Sequence, residues 1–343
     1  MPYTDLSLNL CGKTNLPVLP SHIDLDLTNV CNQDCFYCNS FNFRQKNLVQ
    51  SSYKEYVKLI DQLYNWRTHT PYSAGTVRNI NFTGGGEPTV HKDYHKIIEK
   101  AIDCNFLVSL ITNGSKLNKL IDYLPQHKIQ SIAWIGIDID AGNKQTYEKI
   151  RRSLTKESLF DQVKDNIKRA VDKGYVCDVK ALLMEENTSE KELYSLFHFA
   201  KDVQARKLHI RPIVDQFTNK LFHVSDELKT LISKISSELN VSYNLPQYRQ
   251  QPRKYTKCHQ MFLYPILAAN GEISLCCEGR GQKRFVLGNW KTDDIRDLWF
   301  GQKHMKIYNS INTTLCPPCK PNKVNNLIQE DIDKTSNLER IIL

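Results

Sequence analysis

No apolar run in this chain is long enough to cross a bilayer. The longest, residues 261–269, falls well short of the roughly 20 residues a spanning helix needs. The opening residues, MPYTDLSLNL, lack the basic and apolar segments of a secretory signal, so a cytoplasmic location without a membrane partner is expected. There is no internal repeat, no low-complexity segment and no long block of Lys or Arg. The net charge of +9 (46 − 37) is spread along the chain and reads mainly as solvated surface. Its densest stretch, residues 248–257, carries Arg249, Arg253, Lys254 and Lys257. An apolar fraction of 41% and a charged fraction of 24% exclude a disordered or collagenous chain. What the chain does have is cysteine, eleven in 343 residues. In a reducing compartment these do not make a disulfide framework, which leaves ligation as the question.

At roughly 150 residues per domain, the length suggests about two domains. Apolar, β-rich runs occur at 23–27, 77–82, 107–111, 132–139, 176–183 and 208–214. Helical periodicity separates them at 53–66, 93–104, 160–173 and 190–200. Six strand–helix repeats imply α/β architecture with a parallel sheet, too few for a closed eight-stranded barrel. We therefore expect a partial (β/α)6 TIM-like barrel over 21–215, preceded by an N-terminal segment, 1–20. A helical and basic linker would follow at 216–257, then a small Cys-rich domain at 258–321 built on a β-hairpin and helix, then a polar tail at 322–343. Asn270-Gly271 between two apolar runs marks the hairpin turn.

Cys31, Cys35 and Cys38 form C-x3-C-x2-C directly after the first strand. A structural zinc site is closed by four ligands. A loop offering three suits a 4Fe–4S cluster with thiolates on three irons and the fourth iron open to a small molecule. Zinc would need a fourth ligand nearby, and His22 lies on the strand.

The segment CNQDCFYC resembles the signature of the radical S-adenosylmethionine (SAM) enzymes, C-x3-C-x-aromatic-C. The resemblance implies that the open iron chelates SAM, that an electron cleaves SAM to a 5′-deoxyadenosyl radical, and that Tyr37 contacts the adenine. FTGGGEP at 82–88 is similar to the family's GGE loop, which implies that Gly84, Gly85, Gly86 and Glu87 hold the SAM amino group, with Glu87 the acceptor. TNG at the end of the third strand supplies Asn113. Asp138 and Asp140 end the fourth strand and lead to Arg151, similar to the family's S-x-D followed by K-I-R. Asp138 stands where that pattern has Ser, and would bond the SAM ribose or serve the substrate; Asp140 is a candidate catalytic group. Lys180 and Arg211, on the fifth and sixth strands, are candidates for the SAM carboxylate or substrate. All fall at C-terminal ends of strands, where barrel enzymes place their sites.

Cys258, Gly271 and Cys276 read C-x12-G-x4-C, followed by Cys316-Pro-Pro-Cys319 and bridged by a G-N…I…L-W segment. This resembles the auxiliary-cluster domains called SPASM and twitch. It implies a second 4Fe–4S cluster on Cys258, Cys276, Cys316 and Cys319. Cys277 is able to replace Cys276, and zinc would use the same four ligands. Seven of eleven cysteines are thus assigned, leaving 11 − 7 = 4: Cys11, Cys104, Cys177 and Cys277. Cys104 reads as a buried hydrophobe. Cys177, if it faces the barrel interior, is a hydrogen-atom donor of the kind used by peptide epimerases of the family.

The resemblance implies SAM and two 4Fe–4S clusters as cofactors, with flavodoxin or ferredoxin as reductant. The expected substrate is a ribosomally made peptide, to be crosslinked, epimerised, dehydrogenated or given a thioether. The alternative is a small-molecule dehydrogenase acting on an aminoglycoside-type sugar alcohol or a nucleotide. A non-catalytic iron–sulfur or zinc scaffold is the reading from another class. A first strand near His22 leaves no room for a fused leader-recognition domain, while the basic linker favours an acidic or phosphorylated substrate. No RNA-binding module is visible, which argues against nucleic acid.

Overall fold

A computed structural model describes residues 20–46, 48–68, 77–155, 157–215, 218, 220–246 and 251–342, with side chains as far as 334. Residues 1–19 with Cys11, and Arg249 of the basic stretch, lie outside the described residues. The strands are β1 (His22–Asp26), β2 (Asn79–Thr83), β3 (Leu107–Thr112), β4 (Ile132–Asp138), β5 (Cys177–Leu183), β6 (Lys207–Pro212), β7 (Tyr243–Asn244), β8 (Ile266–Leu267), β9 (Glu272–Ser274) and β10 (Val286–Asn289). The chain packs as two units. One comprises Asp26–Gln50 and Asn81–Pro246, the other Met1–Leu25, Ser51–Ile80 and Gln247–Leu343.

In the first of these units, the end of β2 and then β3 to β7 lie side by side in chain order, and β3 to β7 are parallel. The order is open, with β7 at an edge, so the α/β partial-barrel class expected from the repeats is present. Register divides the sheet into two faces. Ile135 and Ile137 of β4, Cys177, Val179 and Ala181 of β5, and Leu208 and Ile210 of β6 share one face, each at most 2% exposed. Helices Tyr94–Asp103, Phe160–Asp172 and Glu190–Asp202 pack against β3, β5 and β6 through Ile97, Ile98, Val163, Ile167, Leu196 and Phe197. Each such aliphatic side chain taken from water contributes about 1.5–3 kcal/mol. The other face carries Trp134, Gly136 and Asp138, then Asp178 and Lys180, then His209 and Arg211. At Gly136 a Cβ would lie 2.2 Å from the Trp134 ring and 2.8 Å from Lys180 Cδ, so the glycine is what lets these two side chains lie across the strand.

This parity corrects one expectation. Cys177 belongs to the helix-covered apolar face, at 1% exposure, and burial, with Asp178 adding, pushes its thiol up to about 12. It does not reach the polar face and is not placed to donate a hydrogen atom there. Cys104 is buried, as a small hydrophobe would be. The segment expected as a linker adds instead a further strand–helix step: the helix Asp226–Leu239, N-capped by Ser225, leads to β7, which pairs in parallel with β6.

In the other unit, β1 runs parallel to β8, and β8, β9 and β10 form an antiparallel meander. The turn between β8 and β9 has Gly271 at φ +99, where a side chain would strain the backbone and strike Asn289 Oδ1 at 2.2 Å. Ile273, Leu275, Leu287 and Trp290 fill the core beneath, and Trp290 Nε1 donates to Ala268 O at 2.8 Å. The polar tail is the helix Asn322–Ile342, which buries Asn325 and Ile328 completely.

Candidate active site and second cysteine cluster

The cysteine loop is shaped by main-chain bonds to the glycine loop. Gly86 N donates to Thr28 O and Glu87 N to Val30 O, both at 2.9 Å. A Cβ on Gly86 would sit 2.2 Å from Val30 O, and one on Gly85 2.4 Å from Asn29 Oδ1. Gly86 is therefore required by the approach of the cysteine-loop backbone, and Gly85 by the Asn29 side chain, whatever ligand lies beyond.

Glu87 is 4% exposed. Its Oε1 accepts from Thr89 N (3.0 Å), Thr89 Oγ1 (2.6 Å) and Thr112 Oγ1 (2.5 Å), and its Oε2 accepts from Asn113 N (2.7 Å). Sequence reading gave this carboxylate to the SAM amino group; the structure uses it to tie the end of β2 to the end of β3. Burial raises its pKa despite these four donors. Asn113 is likewise internal. Its Nδ2 donates to Asn32 Oδ1 (2.8 Å), and its Oδ1 accepts from Ser115 N and Oγ (3.0 and 2.7 Å). Asn32 Nδ2 closes the ring on Ser115 Oγ at 2.9 Å. Asn113 thus braces the cysteine loop.

A second set of bonds braces the same loop. Arg151 Nη1 donates to Asp140 Oδ2 and to Tyr37 Oη, both at 2.7 Å, and Nε to Gln33 Oε1 at 3.1 Å. Tyr37 Oη also donates to Asp140 Oδ2, and Gln33 Nε2 donates to Tyr147 Oη at 2.6 Å. Asp140, at φ +60, takes its remaining bond from Leu182 N at 2.7 Å. Burial alone would favour neutral Arg151, but Cys35, Tyr37 and Asp140 around it hold its pKa well above the usual value. Three residues assigned separately from sequence, Tyr37, Asp140 and Arg151, prove to be one hydrogen-bonded network built on the buried Asp140–Arg151 pair. Asn32, Gln33, Ser115 and Tyr147 were missed. The first two lie within the Cys31–Cys35 spacing, the only signal that pointed at them.

Asp138 and Lys180 also pair with each other, Oδ1 to Nζ at 2.8 Å, on the polar face. Arg211 stands on that face opposite Leu182. These three remain at the surface of the sheet, unlike the bracing groups.

Cys31 is pushed up to about 12 by burial, with Glu87 adding and Arg44 opposing. Cys35, raised by burial, interacts with Cys38 and with Arg151. No three His, Cys, Asp or Glu side chains among the described residues converge on a point for a single metal ion. Three half-buried thiols on one loop, Cys35 interacting with both Cys31 and Cys38, are a donor set that fits an iron–sulfur cluster, whose iron would deprotonate them.

The second cluster of thiols lies within the other unit. Cys258 interacts with Cys319, Cys316 and Cys277, and Cys276 with Cys258 and Cys316. Around Cys277 the main neighbours are Glu278, Cys276, Lys320 and Asp24. Burial is the first cause of the raised pKa at Cys258, Cys276 and Cys319. The basic stretch contributes here. Arg253 Nη1 donates to Thr313 O (2.6 Å) and Cys316 O (3.0 Å), and Nη2 donates to Pro317 O. Lys254 pairs with Glu330 at 2.9 Å, and Lys257 Nζ donates to Asn309 O at 2.6 Å. Arg253 is thus committed to the Cys316–Cys319 loop, whereas the Lys254 side chain stays largely exposed.

Comparison with known proteins agrees with this geometry. The model of the Radical SAM superfamily matches residues 25–197, and that of SPASM, an iron–sulfur cluster-binding domain, matches residues 258–321. A probable GTP 3′,8-cyclase of Saccharolobus islandicus (strain L.S.2.15 / Lassen #1) is 25% identical over 286 residues, 81% of this chain and 86% of the relative. Among solved structures, Streptococcus suis SuiB bound to precursor peptide SuiA superposes with TM-score 0.64 at 13% identity, covering 90% of this chain and 70% of that one. The structure of anSMEcpe with bound AdoMet gives TM-score 0.59 at 13% identity, covering 84% and 83%. At such identities the structural likeness speaks for the fold. The superfamily model spans slightly over half of the chain and takes in the cysteine loop, the glycine loop and the Asp140–Arg151 brace, so this protein belongs to the radical SAM superfamily and carries a SPASM domain.

Proposed function

We propose that the protein is a peptide-modifying radical SAM enzyme with two 4Fe–4S clusters. Cys31, Cys35 and Cys38 hold the first and leave an iron open for SAM; Cys258, Cys276, Cys316 and Cys319 hold the second. When bound, cluster and SAM supply an electron and a 5′-deoxyadenosyl radical that abstracts hydrogen from substrate. The observation that carries this reading is the cysteine loop, held by Glu87 and Asn113 and by the Tyr37–Asp140–Arg151 network. Those residues position the loop and exclude water. The polar face of β4 to β6, with Asp138, Lys180 and Arg211, is where SAM polar groups and substrate would be met. A flavodoxin- or ferredoxin-type reductant completes the set.

Likeness to a precursor-peptide complex over 90% of the chain supports the peptide substrate. A nucleotide is the second reading, favoured by a curated relative named as a probable GTP 3′,8-cyclase. Anaerobic incubation of reconstituted protein with dithionite and SAM should yield 5′-deoxyadenosine, and the Cys31→Ala, Cys35→Ala, Cys38→Ala protein should not. Equal yields from the two would overturn the enzyme reading. Adding GTP should leave GTP intact; its consumption coupled to 5′-deoxyadenosine would replace the peptide by a nucleotide.

A further inference from the structure

Two side chains that the sequence reading passed over point at the sulfurs of the second cysteine cluster. Asn325 is fully buried, and its Nδ2 donates to Cys258 Sγ at 3.7 Å. The orientation of its amide is fixed from the other end, where Oδ1 accepts from Gln260 N at 2.9 Å. Tyr255, 6% exposed, has its hydroxyl 3.9 Å from Cys319 Sγ, sulfur-length hydrogen-bond geometry in which the phenol donates once the thiol is a thiolate. Arg253 holds the carbonyls of Cys316 and Pro317, so the Cys316–Cys319 loop is presented to Tyr255 in one conformation. A donor on a ligand sulfur favours the more negative, reduced state of a cluster, and counts for more where water is excluded.

We propose that Tyr255 and Asn325 are positioning residues that raise the reduction potential of the auxiliary cluster through hydrogen bonds to Cys319 and Cys258. The proposal rests on the reading that these cysteines, with Cys276 and Cys316, hold that cluster. Tyr308 supplies the control. It is a comparably buried phenol in the same unit, at 7% exposure, but its hydroxyl meets His259 Nδ1 at 3.0 Å.

The test uses full-length protein with Cys31, Cys35 and Cys38 changed to Ala, so that only the auxiliary cluster titrates. Midpoint potentials are read by anaerobic redox titration with electron paramagnetic resonance. Tyr255→Phe should shift the midpoint to a more negative value. Asn325→Asp should shift it further, because it keeps an acceptor for Gln260 N–H, loses the donor to sulfur and adds negative charge. Tyr308→Phe should leave it in place. Unmoved midpoints in Tyr255→Phe and Asn325→Asp, or equal shifts in all three variants, would overturn the proposal. If Asn325→Asp does not load, Tyr255→Phe decides. Failure of the parent protein to bind about four irons would remove the cluster reading itself, and the proposal with it. An iron-loaded parent with unmoved midpoints removes the proposal alone.

Discussion

Arg151 and Asp140 meet at 2.7 Å with side-chain exposures of 7% and 2%, and between them they hold the hydroxyl of Tyr37, one residue from Cys38 of the cysteine loop. A buried ion pair of this kind is expensive to break from one side, because the partner is left charged and dry.

Arg151→Met should therefore lower unfolding stability by roughly 3–5 kcal/mol. Asp140→Leu combined with Arg151→Met should cost less than the sum of the single changes, since neither charge is then stranded. Urea unfolding of the four proteins checks this. An additive double variant would mean that the pair does not interact.

The two inner glycines should respond differently to alanine. At Gly86 the new methyl meets the Val30 carbonyl and Asn29 backbone, which have nowhere to go, whereas at Gly85 the closest atom is the tip of the Asn29 side chain. We expect Gly86→Ala to lose about 1–3 kcal/mol and most of the iron of the first cluster, and Gly85→Ala distinctly less of both. Thermal unfolding and iron content of reconstituted protein compare them.

His304 gives a pH signature. It is fully buried, stacked 4.6 Å from the Phe262 ring and edge-on to the Trp299 ring at 4.6 Å, and burial lowers its pKa to about 4. The unfolded chain protonates it near 6.5, so between about pH 6.5 and 4 the unfolded state binds the extra proton and stability falls as pH falls. The loss approaches about 3 kcal/mol below pH 4. In His304→Gln the slope of stability against pH across that window should be shallower, read from unfolding midpoints at several pH values.

The second thiol cluster predicts an iron count. Protein reconstituted with both clusters should bind about eight irons, and the Cys316→Ala, Cys319→Ala protein about four. Retention of the full count in that variant would exclude these two cysteines as ligands.

Much of the scaffold was legible because parallel strands are short apolar runs and the cysteine spacing is itself a ligand pattern. The facing of Cys177 was legible too. It alternates with Asp178 and Lys180 and so shares a face with Val179 and Ala181, an alternation that places it against the helices. The work done by Glu87 was hidden. Its partners Thr112 and Asn113 lie 25 and 26 residues away, and only pairing of the strands brings them to it. Asn325 was hidden for the same reason, 67 residues from Cys258 on a helix with no cysteine of its own. β7, two residues long, carries no periodic signal, and only its pairing with β6 identifies it.

The bracing of the cysteine loop has a consequence for biogenesis. Asn32 waits on Asn113 and Ser115, and Gln33 and Tyr37 wait on Tyr147 and Arg151. A ribosome that has released only the three cysteines has not yet made the residues that hold their loop. The partners that shape the loop are complete only once residue 151 has emerged and the fourth strand has been laid down, so the loop takes its form from chain made after the cysteines.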